Sequence, residues 1–118
     1  MRDLKELTLV IAEMIDAKKG SDVVILDLRG KSNLTDFLVI ATGLNDRHAL
    51  SLAHHVEKEL SEKDIVLHHK EGHRTGDWVV LDYYDVIVHI FNEDKRKYYN
   101  LERLWKDAHR IEPTFVSV

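Results

Sequence analysis

The hydrophobic positions along this chain follow two periods, and the switches between them predict its elements. Leu4, Leu7, Ile11, Met14 and Ile15 recur at helical spacing, and Lys18-Lys19-Gly20 ends the run with cations at the negative end of the helix dipole. That predicts a helix over about Asp3 to Lys19. Two β-branched runs follow, "VVILDL" at 23–28 and "FLVIATG" at 37–43. Both are apolar on successive residues, so both are expected as inner strands with each sheet face covered. Asn45 or Asp46 caps a second helix, whose apolar positions Ala49, Leu52, Ala53, Val56 and Leu60 continue toward Lys63. "IVLHHKEG", 65–72, reads as a third, less apolar strand.

Trp78 to Asp82 and Val86 to Phe91 are two further strands. They are too closely spaced for a crossover helix and are therefore antiparallel neighbours, joined at Asp82-Tyr83-Tyr84-Asp85. After Asn92 the pattern is helical again, with Tyr98, Leu101, Leu104, Trp105 and Ala108 on one side. The order α-β-β-α-β-β-β-α gives an α/β (α+β) class, a mixed five-stranded sheet flanked by helices. Strand, helix and strand near residues 37 to 70 are expected to form a right-handed crossover.

At 118 residues and 44% hydrophobic content the chain is expected to be a single domain, 1–118. With 21 acids against 17 Lys and Arg, a net charge of −4 argues against a broad basic face for nucleic acid. It leaves basic proteins open as partners, since steering needs only a local acidic surface. The absence of cysteine excludes disulfides, thiolate metal sites and a cysteine nucleophile. The N-terminal stretch lacks a signal-peptide core, and no apolar run approaches the roughly 20 residues that cross a bilayer. A cytoplasmic protein with no membrane contact is the expectation.

Specific chemistry is thin. Eight histidines include His54-His55, His68-His69 and His73. Adjacent residues diverge around a helix and face opposite ways on a strand, so these pairs do not converge on a metal. His89, inside a strand run, reads as a hydrogen-bonded histidine beneath a helix. "ATGLNDRH" puts one glycine between strand and helix, but it is neither a dinucleotide nor a P-loop motif. No GxSxG occurs. Asp82 and Asp85 are expected to face solvent or brace the turn by accepting backbone N–H bonds. The turn's aromatic and acidic composition, close in sequence to Trp78, is that of a protein interface: aromatic anchors exclude water while carboxylates pair with Arg or Lys.

Two longer blocks, "DLRGKSNLTDFLVIATGLNDRHALSLAHHV" at 27–56 and "GDWVVLDYYDVIVHIFNEDKRKYYNLERLW" at 76–105, closely resemble the ribosomal silencing factor (Iojap-like) family. The resemblance runs over about residues 1 to 108. It implies a nucleotidyltransferase-like fold without catalytic residues, no cofactor and no enzymatic activity; "FLVIATG" carries no carboxylate for a metal. It implies binding to ribosomal protein L-fourteen of the large subunit and steric exclusion of the small one, repressing translation in nutrient limitation or stationary phase. A homodimer is implied for the free form. Carried over position by position, the partner-binding surface falls on Trp78, Asp82, Asp85 and His89 of the hairpin and Tyr98, Leu101 and Glu102 after it; the composition of the turn itself adds Tyr83 as a further aromatic anchor.

Two positions depart from the family pattern: Tyr84 stands where glycine is usual, and Lys70 where an apolar residue is commoner. The first is expected to be tolerated if Tyr84 finds packing of its own. "RIEPTFVSV" lies beyond the strong match, and 109–118 is expected as a flexible tail or an oligomer contact. Two other readings use the same residues: a large-subunit assembly factor, and a nucleotidyltransferase-like enzyme with "ATGLND" as its phosphate turn.

Overall fold

The first helix forms where the apolar repeat places it. Helix α1 spans Leu4–Ala17, and Asp3 caps it by accepting from the Lys5 N–H at 3.0 Å. The structure, a computed structural model, describes residues 3–113. Helix α2 spans Asp46–Glu62, and of the two candidate caps it is Asn45 that serves, accepting from the His48 N–H at 2.8 Å.

Six strands form one mixed sheet: β1 Ser21–Asp27, β2 Phe37–Gly43, β3 His69–Glu71, β4 Trp78–Asp82, β5 Val86–Asn92 and β6 His109–Ile111, in the order β3-β4-β5-β2-β1-β6. Strands β2 and β5 pair in parallel and the other pairs are antiparallel. The chain crosses from β2 through α2 to the far edge, so the parallel neighbour of β2 is β5 and not the next strand in sequence.

Three expectations need correction. The sheet has six strands and not five, because His109–Ile111 pairs with β1 and buries Ile111 opposite Ile25. So 109–111 is no tail, and it is this strand that makes β1 an inner one; residues 114–118 of the expected tail lie outside the described residues. The third predicted strand shrinks to His69–Glu71, and Ile65 and Leu67 pack on the core as irregular chain. The last helix is two: α3 Glu93–Tyr99 and α4 Leu101–Leu104, broken at Asn100, whose φ of 43° and ψ of 60° are left-handed. The break changes the helical phase, so Leu101, Trp105 and Ala108 pack inward while Tyr98 and Leu104 stay exposed.

Period-two alternation divides the sheet's side chains between two cores. Helices α1 and α2 close one face over Ile25, Phe37, Val39, Leu81, Val88 and Ile90, all 0% exposed. Burying such side chains stabilises by roughly 1.5–3 kcal/mol each. Gly43 lets α2 sit close, since a Cβ there would stand 2.7 Å from the Ala49 nitrogen. On the other face Leu26, Leu28, Leu38, Ile40 and Phe91 form a smaller core under Leu101, Trp105 and Ala108. That cover stops short of the β3 edge.

Candidate functional site

Where the cover stops, β4 and β5 present a half-open surface. Register pairs Trp78 with Phe91, Val80 with His89, and Asp82 with Ile87, all on the face opposite α2. The burial of β4 alternates, with Trp78, Val80 and Asp82 half-buried between fully buried Val79 and Leu81. On β5, Ile87 and His89 are half-buried in the same way. His69 and Glu71 of β3 continue the surface to the exposed sheet edge, with His69 Nε2 2.7 Å from Glu71 Oε1.

Trp78 organises the centre. Its ring stacks on Phe91 at 5.1 Å between centroids and meets Tyr99 at 4.4 Å, and its indole N–H donates to His89 Nδ1 at 3.0 Å. Burial holds the His89 imidazole down at about 4, so it is neutral around pH 7. His89 is hydrogen-bonded as expected, but to Trp78 on the half-open face and not beneath a helix. Tyr98 lies edge-on to Tyr99 at 5.0 Å and is 76% exposed, so an aromatic run leads from Trp78 out to solvent.

The turn at the end of the hairpin is built by its aspartate. Asp82 Oδ1 accepts from the Tyr84 N–H at 2.8 Å, the brace that the sequence suggested. Tyr84 takes the glycine-like φ of 68° and stacks its ring on His68 at 4.0 Å, the packing that its tolerance required. The Asp85 side chain is exposed, and its backbone carbonyl accepts from the Asp36 and Phe37 N–H groups at 3.1 and 3.0 Å. Asp85 therefore anchors the turn to the start of β2.

Two residues of the expected surface sit elsewhere. Tyr83 is only 7% exposed and belongs to the α2-side core, so it is not an anchor beside Trp78. It lines an open cavity with Glu57, Lys58, Ile65 and Lys70, its hydroxyl has no partner among the described residues, and burial pushes that hydroxyl up to about 12, with Glu57 adding to the shift. Lys70 points to the same side and pairs with Glu57 at 3.1 Å. Glu102 is engaged inward, since Arg96 Nη2 donates to its Oε2 at 3.0 Å and Arg96 Nε to its Oε1 at 3.3 Å. Burial pulls the Glu102 carboxyl up, but the Arg96 hydrogen bond and charge outweigh it and hold it below the usual range.

The sequence reading did not single out Arg96, which holds the cover beside this surface, or Tyr99, which packs on Trp78. Arg96 is buried at 8% exposure, and its Nη1 donates to Thr42 Oγ1 at 2.7 Å, fastening α3 and α4 to β2. Among the described residues no three His, Cys, Asp or Glu side chains are placed to hold a metal ion. No described helix is long and apolar enough to cross a membrane. What the surface offers is aromatic area, one neutral histidine and a carboxylate rim, which is chemistry for binding.

The chain matches the family described as "Ribosomal silencing factor during starvation" over residues 1–117. It is 38% identical to the ribosomal silencing factor RsfS of Halalkalibacterium halodurans across 92% of each chain. To that of Haemophilus influenzae it is 39% identical, over 80% of this chain and 93% of that one. A crystal structure of a Chromobacterium violaceum protein superposes with a TM-score of 0.86 at 29% identity, covering 99% of this chain and 97% of the other. A more distant relative at 23% identity is the mouse protein named for mitochondrial assembly of the ribosomal large subunit, of which this chain spans 43%.

Proposed function

The chain belongs to the ribosomal silencing factor family, and on that premise we propose that the half-open face of β3, β4 and β5 docks on ribosomal protein L-fourteen of the large subunit. Occupying that site excludes the small subunit sterically and lowers translation when nutrients are scarce. The contact residues are Trp78, Val80, Asp82 and His89, flanked by Tyr98, Tyr99 and Leu101, with Asp85 at the rim. Tyr83 serves as core and Glu102 as the clamp that holds α4, so neither is counted among the contacts.

The observation that carries this reading is the interruption in the second face's cover. A sheet face lined by Trp78, Val80 and Ile87 is left half-open beside the exposed carboxylates of Glu71 and Asp85. An apolar, aromatic centre with an acidic rim suits a partner rich in Arg and Lys. No bond is made or broken, so the function asks for no catalytic group and no cofactor, and its place is the cytoplasm. Tyr98 and Leu104, 76% and 72% exposed, give the free protein an apolar surface through which it pairs as a homodimer.

The test is sedimentation of purified large and small subunits with the wild-type protein, Asp82→Asn and Tyr98→Ala. Asn keeps the oxygen that braces the Tyr84 N–H and removes only the charge. Comigration with the large subunit and loss of joined ribosomes, both weakened in the variants, is the expected result. A protein that stays at the top of the gradient while joining proceeds defeats the proposal. A role in large-subunit assembly is the second reading, favoured by the mouse relative's name; immature large subunits accumulating on deletion, with normal joining, would select it.

A further inference from the structure

We propose that Trp78 is a positioning residue: its indole N–H fixes His89 in the tautomer that carries its proton on Nε2, so the docking face offers one oriented N–H donor to an acceptor oxygen of the partner. The inference rests on the docking reading above and adds what the centre of the face recognises.

The two rings differ in what they can donate and accept. Indole Nε1–H is a donor and never an acceptor, whereas a neutral imidazole has one nitrogen of each kind. With 3.0 Å between Trp78 Nε1 and His89 Nδ1, the His89 nitrogen in that bond is the acceptor. The proton of the neutral ring therefore sits on Nε2. A proton on Nδ1 would set two donors against each other.

Nε2 has no hydrogen-bond partner among the described residues, yet the Tyr83 hydroxyl is the one side-chain polar atom there that is buried without a partner. So Nε2 still meets solvent, and it is the nitrogen free for recognition. Its cross-strand neighbour Val80 is apolar and supplies no competing acceptor. Contacts with Trp78 and Phe91, at 5.9 and 6.3 Å between centroids, limit the ring's rotation. The donor is thus oriented before the partner arrives, which lowers the ordering cost of binding.

The surface consequently reads two chemistries. Carboxylates at the rim attract cations, while the centre repels them and accepts an oxygen, either a main-chain carbonyl or a carboxylate. A neutral lone pair at His89 would have favoured Lys or Arg; the fixed tautomer excludes that.

Two measurements on the full chain test this. Long-range nitrogen–proton NMR of the free protein at pH 7 is expected to show His89 with Nε2 protonated and Nδ1 bare, and Trp78→Phe, which keeps an aromatic ring but removes the N–H, is expected to give a mixture. Protonated Nδ1 in the wild type, or an unchanged pattern in folded Trp78→Phe, overturns the inference. Affinity for purified large subunits is the second measurement. His89→Asn, whose amide oxygen can still accept from Trp78, is expected to lose about tenfold, and His89→Gln, whose amide N–H reaches the Nε2 position, to recover most of that loss. If Asp82→Asn weakens binding and His89→Asn does not, the donor role fails while docking stands. If neither variant binds less tightly, the docking reading fails, and this inference with it.

Discussion

The two faces of one sheet are finished differently. On the α1 and α2 side Leu81, Val88 and Ile90 are wholly buried, whereas one residue along each strand Val80, Ile87 and His89 remain half-open. Strand pairing, twist and backbone hydrogen bonds are common to both sides, so the contrast arises from what covers them. Two helices of 14 and 17 residues close the first face; 7- and 4-residue helices close only part of the second. The first face holds the fold together, and the second leaves apolar surface half-open, which the docking proposal assigns to a partner.

The contrast is most sharply broken at Arg96, the clamp of the partial cover. Arg96→Ala leaves Glu102 half-buried without its cation and Thr42 without its donor, and is expected to cost about 3 kcal/mol in urea unfolding, the low end for a buried pair because water reaches Glu102. A loss below about 1 kcal/mol would mean that α3 and α4 are held by Leu101 and Trp105 alone. Next come the matched truncations on adjacent positions of β4. Leu81→Ala is expected to cost about 3 kcal/mol and Val80→Ala about 1 or less; equal costs would erase the difference between the faces.

Acid sharpens the same comparison. The folded-state value of His89 is lowered from 6.5 to about 4, so between those values the unfolded chain binds the extra proton. The stabilisation is complete above pH 6.5 and falls as pH drops toward 4, by at most about 3 kcal/mol and less where water reaches the ring. Unfolding midpoints across that range are expected to fall more steeply for the wild type than for His89→Asn. The smallest effect is at the turn. Tyr84→Ala keeps the positive φ but loses the His68 stack and is expected to cost about 1 kcal/mol, while Tyr84→Gly removes the strain and comes close to neutral.

Much of this was legible in the chain. Long periodic segments gave α1, α2 and the inner strands, and turn chemistry gave the role of Asp82. Tyr83 was misplaced although the signal was present: it shares strand parity with Val79 and Leu81, so alternation directs it to the closed face. The Arg96–Glu102 clamp was not legible in that way. Residues six apart do not meet on an unbroken helix, and only the left-handed Asn100 brings them together. Strand β6 was hidden because three residues with one buried apolar position give no period to detect.

In the docking proposal the half-open face, and not the α2 side, meets the large subunit. A photoreactive residue placed at Val80 or, on the exposed surface of α2, at Ser51 tests it directly when irradiated with purified large subunits. Cross-links from position 80 to ribosomal protein L-fourteen and none from position 51 are expected. Cross-links from position 51, with position 80 silent, would contradict it.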